Sequence, residues 1–210
     1  MYLQRHFEAG EELLQEMLAN LGALDLVTAS ESGLDATVMP MIYRPGERSS
    51  SLRGHMARAN RQWRGADGGP ALAIARGPGA YVSPSYYPSK ERDPRVVPTW
   101  NYVVLHFHGI LHVHDDQDWT RENVEELTRL HEGTVGRTWR VEDAPADYVA
   151  QMLKGVVGVE MVVERVEAKA KMSQNRPLED ASNVARELDA AGKLQAAAVL
   201  RAVNSRRGAD

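Results

Sequence analysis

The side chains best suited to chemistry fall in four short stretches of the chain. In Arg53-Gly54-His55-Met56-Ala57-Arg58-Ala59-Asn60, an imidazole at the end of a strand-like piece is followed three residues later by a guanidinium. An imidazole can ligate a metal or shuttle a proton, and a guanidinium can hold a phosphate or carboxylate with two hydrogen bonds. The competing reading is that such strand-end polar residues cap a following helix. Tyr81-Val82-Ser83-Pro84-Ser85-Tyr86-Tyr87-Pro88-Ser89-Lys90 packs three hydroxyls, three aromatics and an ammonium into ten residues. Hydroxyls and Lys90 suit a phosphate, and tyrosine faces suit a flat conjugated ring, although a proline-stiffened surface loop has the same composition. Val97-Pro98-Thr99-Trp100-Asn101-Tyr102 is the third stretch. Lys169-Ala170-Lys171-Met172-Ser173-Gln174-Asn175-Arg176 is the fourth, an anion cradle or a solvated linker just after an apolar strand.

His106, His108, His112 and His114 form two His-x-His pairs whose members share a strand face. Such pairs can ligate zinc or iron through ring nitrogens. No acidic residue stands at a ligand offset within the strand, so we read them as half-exposed barrel positions. Phosphate-binding P-loops, dinucleotide fingerprints and nucleophile elbows have no counterpart in the chain.

Periodicity supplies the elements that position these stretches. Leu13, Leu14, Met17, Leu18 and Leu21 predict an amphipathic helix over 11–21. Leu24 to Ser30 and Asp35 to Tyr43 read as a hairpin turning at Ser32-Gly33, and Leu52 to His55 as a short strand before a helical turn over 57–63. Ala71 to Ala75 is a strand that Gly77-Pro78-Gly79 breaks before Tyr81 resumes it. Pro84 to Pro98 is an irregular loop of the length that functional loops have. Trp100 to Asp115 alternates as a long barrel strand or a tight pair, with a bulge or bend at Gly109. Helices are expected over 118–131 and 146–153, a last buried strand over 156–166, and two short helices hinged at Gly192 from Leu178 on. Short strands without regular strand–helix alternation predict an α+β fold with a barrel.

The 210 residues suit one core over 1–177 with a C-terminal helical extension over 178–210. The chain contains no cysteine, which excludes disulfides, thiolate metal sites, iron–sulfur clusters and cysteine nucleophiles. The N-terminus has no basic region followed by an apolar run, and no stretch approaches membrane-spanning length, so a cytoplasmic location is expected. A formal net charge of −4 gives no global attraction to nucleic acid, and the basic residues near Arg201, Arg206 and Arg207 are few.

Taken in order, the four stretches resemble the motif set of the PaiB-like family of FMN-binding negative transcriptional regulators. Met1-Tyr2-Leu3-Gln4-Arg5-His6-Phe7, Asp143 to Tyr148 and Val157-Gly158-Val159-Glu160 add to the likeness, which covers residues 1–176. The resemblance implies a split β-barrel related to pyridoxamine-phosphate oxidases, with peripheral helices, in a homodimer that binds FMN at its subunit interface. It implies that His55, Arg58, Asn60, Ser83, Ser85, Tyr86, Lys90, Thr99, Trp100, Asn101, Lys171, Ser173, Gln174 and Arg176 line or frame the site. Within that set we assign Arg58 and Lys171 to the phosphate or propionates and Tyr86 and Trp100 to the ring. The chain departs from the family pattern at Arg61 for Pro, Tyr86 for Trp, and Ala168 and Ala170 for Gly and Trp. A related branch that includes piperazate synthases is similar through Gly54-His55-Met56 and binds heme, so heme b with His55 as axial ligand is the alternative cofactor. A flavin-dependent oxidoreductase acting on a small molecule and a cofactor-sensing regulator that binds DNA are both compatible with the resemblance.

Overall fold

The computed structural model describes residues 1–31 and 33–205. Ser32, expected in the hairpin turn, and Arg206 and Arg207 of the basic C-terminus lie outside the described residues. β1 (Ala23–Ser30) and β2 (Gly33–Arg44) form the expected antiparallel hairpin, in register from Ala23↔Pro40 to Ser30↔Gly33. Alternation along β1 sends Leu24, Leu26 and Thr28 inward, as a strand with one buried face requires.

The end of β2 pairs with β3 (Ser50–Ala57), which pairs along its length with β6 (Val156–Lys171), from Ser50↔Val163 to Ala57↔Val156. On the other side β1 pairs with β4 (Pro70–Val82) around Asp25↔Ile74. With β5 (Thr99–His114) the strands close into a barrel in the order β1-β2-β3-β6-β5-β4. Closure leaves each strand a neighbour on both sides, which removes the open sheet edge that would template aggregation.

Among the described residues, five α-helices accompany the strands: α1 (Glu11–Ala19), α2 (Gln117–Thr134), α3 (Ala146–Lys154), α4 (Leu178–Ala190) and α5 (Leu194–Ser205). α2 starts where Asp116 Oδ1 accepts the backbone N–H groups of Asp118 and Trp119 at 2.8 and 2.9 Å. This cap is worth about 1 kcal/mol. The turn between α4 and α5 places Gly192 at φ +71°, a left-handed conformation that glycine adopts without steric cost.

Two compact units emerge. The first comprises Met1–Met17, Arg76–Leu105 and the described residues from Glu167 on. Its core joins Val184, Leu188 and Leu200 of the last two helices to Val82, Val103 and Met172 of the strand ends. Ser89 Oγ donates to the Asp180 carboxylate at 2.6 Å, and Asn204 Nδ2 donates to the Met172 carbonyl at 2.7 Å, tying loop and strand to those helices. The second unit comprises Leu18–Ala75 and His106–Val166. Leu26, Met41, Leu52, Phe107 and Met161 are fully buried there, each contributing about 1.5–3 kcal/mol of hydrophobic stabilisation.

Several elements differ from expectation. Gly77-Pro78-Gly79 does not break β4, which runs from Pro70 through Val82. A Cβ at Gly77 would lie 2.9 Å from Val103 Cβ, and one at Gly79 would lie 3.1 Å from the Asn101 carbonyl oxygen. These glycines therefore admit a close neighbour rather than a turn. Gly109 lies inside the continuous strand β5, whose alternation runs through it unbroken, and a Cβ there would meet the Val162 carbonyl oxygen at 1.9 Å. β6 continues past Val166 to Lys171, so Lys169 and Lys171 stand on a strand instead of in a linker. The region after Ala57 holds only a 3-10 turn at Arg61–Trp63, and the proline-rich loop contains two more, Pro84–Tyr86 and Pro88–Glu91.

Candidate functional site

Within the first unit, the ends of β5 and β6 bring Thr99 and Lys171 together. Lys171 Nζ donates to Thr99 Oγ1 at 2.5 Å. Among the described residues no carboxylate pairs with this ammonium, which leaves a half-buried positive charge held only by a hydroxyl. At the end of β4, Ser83 Oγ and Ser85 Oγ are 2.8 Å apart, and Ser83 Oγ also accepts the Ser85 N–H. Trp100 is 60% exposed and meets the exposed ring of Tyr81 edge-on, centroids 6.0 Å apart. Lys90 Nζ lies 4.0 Å from the Glu91 carboxylate. The half-buried Tyr86 offers its carbonyl to Asn183 Nδ2 at 2.8 Å.

Other members of the predicted set are engaged in holding the fold. Asn101 is fully buried, and its Nδ2 donates to Ser173 Oγ at 2.9 Å. Ser173 carries φ 63°, the left-handed backbone that turns the chain out of β6. Gln174 closes that turn, accepting the Met172 N–H at 2.6 Å and donating to the Ala170 carbonyl at 2.5 Å. The Arg176 guanidinium covers the buried Tyr87 ring at 4.6 Å, while burial pushes the Tyr87 phenol up and the Arg176 charge opposes that shift.

His55, Arg58 and Asn60 belong to the second unit. Arg58 grips Asp115 through two nitrogens at 2.5 and 3.1 Å and donates to the carbonyls of Lys154 and Val156. That hydrogen-bonded pair holds the Asp115 carboxyl below the usual carboxylate range. Asn60 Oδ1 accepts the Gln62 N–H at 2.9 Å, and its Nδ2 donates to Thr37 Oγ1 at 2.8 Å, so it caps the 3-10 turn.

His55 sits on β3 opposite Gly158 of β6. Burial lowers its pKa below 6.5, with the neighbouring Asn123 amide opposing the shift, so the ring is neutral at neutral pH. Its Nδ1 is buried without a hydrogen-bond partner among the described residues. The ring forms part of the wall of a cavity of about 360 Å³ lined otherwise by mostly apolar residues of α2, α3, the segment between them and the start of β6. Val141, Val149 and Leu153 form the buried cluster beneath it.

The two histidine pairs of β5 have different surroundings. His106 and His108 share one face with ring centroids 6.2 Å apart. His114 stacks on Trp119 at 4.0 Å and 8°, and its Nε2 is 3.2 Å from Glu160 Oε2. Burial raises the Glu160 carboxyl, but hydrogen bonds from Arg53 and Ser51 outweigh it and set the group below its ordinary value. Gly158 makes room for this stack, since a Cβ there would fall 2.4 Å from the Trp119 ring.

Sequence reading missed Asn123, Trp139, Tyr148 and Met152, which surround or adjoin the His55 cavity. Asn123 is only 3% exposed, and neither amide atom reaches hydrogen-bonding geometry with a described residue. One signal was present: Thr120, Asn123 and Leu127 recur at helical spacing on the inward face of α2, which puts an amide where an apolar residue belongs.

The family model described as "Putative FMN-binding domain" matches residues 1–165. The chain is 31% identical over 199 residues to protease synthase and sporulation protein PAI 2 of Bacillus subtilis, spanning 90% of this chain and 89% of that protein. An uncharacterized protein of Emericella nidulans is 29% identical over 212 residues, covering 83% of this chain and 84% of its own. Among solved structures, a conserved hypothetical protein from Mycobacterium tuberculosis superposes with a TM-score of 0.54 at 12% identity, over 84% of this chain and 94% of that one. The FAD and heme binding protein from Mycobacterium smegmatis gives 0.53 at 14% identity, over 77% and 71%. The structural likenesses carry the fold alone, and the sequence matches carry the kinship: this chain belongs to the PaiB-like family of FMN-binding-domain proteins and has their split-barrel fold.

Proposed function

We propose that the protein binds FMN at the β5–β6 rim and works as a homodimeric flavin-dependent oxidoreductase of the cytoplasm. The observation that carries this reading is the Lys171 ammonium, half-buried and met by the Thr99 hydroxyl rather than by a carboxylate. A charge so placed is complementary to a phosphate. The Ser83 and Ser85 hydroxyls add neutral donors to the set, and the exposed Trp100 offers an aromatic face to a flat ring. FMN, when bound, supplies electron transfer between a reductant and a small acceptor. The chain's own work is to bind the phosphate, orient the ring and exclude water from it.

A second copy of the chain would cover the outward face of β5, where Trp100 is exposed and Tyr102, Val104 and Ile110 are half-buried. Apolar outward positions on a barrel strand favour such a partner over water. DNA binding receives less support, because the chain is net acidic.

Heme b is a second reading, favoured by the neutral His55 ring with its unpartnered Nδ1 in an apolar wall. Neutral imidazole is the form that ligates iron. The visible spectrum of the purified protein, taken with its mass in solution, separates the two. Two flavin bands from a dimer support FMN, a Soret band supports heme, and neither band sinks both. Lys171→Ala should weaken FMN binding about 10- to 100-fold, the loss of one charge-assisted contact, while His55→Ala leaves it unchanged. Flavin retention in Lys171→Ala equal to wild type overturns the assignment of the phosphate.

A further inference from the structure

The His55 cavity does not end at its apolar floor. A groove of about 480 Å³ adjoins it along the C-terminal half of α2 and the following segment, and the two share Thr128, Trp139 and Val141 as lining. At the cavity opening Trp139, Tyr148 and Met152 are each about half exposed, at 49%, 54% and 47%. A tryptophan, a tyrosine and a methionine left open around one concavity gain free energy when an apolar body covers them.

The groove has a different character. Its acids are engaged: Glu125 pairs with Arg121 at 3.6 Å, Glu142 with Arg140 at 3.2 Å, and Glu132 accepts the Trp139 N–H at 3.2 Å. The Glu132 carbonyl also accepts the Arg137 N–H at 2.8 Å, so one residue fixes the turn that carries both Arg137 and Trp139. Among the described residues, Arg129 and Arg137 form no ion pair. A planar guanidinium binds a carboxylate through two parallel hydrogen bonds. The surrounding glutamates favour a monoanion over a doubly charged phosphate.

We propose that the His55 cavity and the adjoining arginine groove form one binding site for a small aromatic carboxylate, its ring system against Trp139, Tyr148 and Met152 and its carboxylate on Arg129 and Arg137. The cavity volume lies near the lower end of small-molecule sites and suits a body of one or two fused rings. The site does not depend on the flavin reading, since its residues are separate from Lys171, Thr99 and the serines, and it competes with the heme reading for His55.

The test is isothermal titration calorimetry of the full chain, as purified, with 2-naphthoate and with the neutral isostere 2-naphthamide, while flavin content is followed separately by absorbance. Saturable binding of one 2-naphthoate per chain is expected, with 2-naphthamide at least about tenfold weaker. The double variant Arg129→Gln/Arg137→Gln should lose that preference without loss of thermal stability, because both side chains are exposed. Trp139→Ala should weaken the acid and the amide alike. Absence of saturable binding, equal affinity for the two probes, or an unchanged preference in the double variant overturns the proposal. So does a Soret band in the purified protein that 2-naphthoate fails to displace.

Discussion

Two buried amides stand in opposite circumstances. Asn101 in the first unit is fully buried and bonded to Ser173, which in turn shapes the exit from β6. Asn123 in the second unit is nearly as buried, yet neither of its amide atoms, nor the nearby His55 Nδ1, meets full hydrogen-bond geometry with a described residue. A satisfied buried polar pair specifies architecture, whereas unsatisfied groups beside a cavity have capacity left for a ligand. The family motif contains Asn101 and His55 alike, but the hydrogen bonds assign them different work. Asn101 holds a rim on which Lys171 is free to act, and His55 forms part of a cavity wall.

The sharpest way to break this contrast is Asn101→Leu. It leaves Ser173 Oγ buried with its partner gone, so a loss of about 1–3 kcal/mol in unfolding free energy is expected. Flavin affinity measured on the fraction that remains folded should stay within a few-fold of wild type. A variant as stable as wild type in urea would mean that the pair is not structural.

Asn123→Leu should behave in the opposite way. Its amide meets full hydrogen-bond geometry with no described residue, and only its approach to the His55 ring is lost, so stability should hold within about 1 kcal/mol. Destabilisation beyond about 2 kcal/mol would show that Asn123 already has a partner and would erase the contrast with Asn101.

The sequence carried the local signals well. The β1–β2 hairpin, α2, α3 and the long strand β5 follow directly from periodicity, because each buries one face of a regular element. Misreadings arose where a neighbour decides. Gly77-Pro78-Gly79 has the composition of a turn, and only the closeness of Val103 and Asn101 explains the glycines inside a strand. The apolar run reads as ending at Val166, although the strand continues through Glu167 and the buried Lys169 to Lys171. For the site, motif residues such as His55 and Lys171 were legible. The cavity wall was not, because Trp139, Tyr148 and Met152 gather around His55 from positions some 80 to 100 residues away in the chain. No local pattern encodes that gathering.

The smallest effect expected from the contrast is a pH dependence. His55 is buried in its neutral form, with a folded-state pKa lowered from the ordinary 6.5 by loss of hydration. As pH falls below 6.5, the unfolded chain takes up a proton at this position before the folded chain does. Stability contributed by the neutral ring is therefore complete above 6.5 and declines as pH falls toward the lowered folded value. A single proton limits the slope to about 1.4 kcal/mol per pH unit. Urea unfolding of wild type and His55→Gln between pH 5 and 7.5 isolates the term, with the variant expected to show the flatter profile. A ligand that accepts a hydrogen bond from the ring would raise the His55 pKa and flatten the wild-type curve toward that of the variant. Parallel profiles for the two proteins would mean that His55 is hydrated in the folded state and that the cavity beside it is open to water.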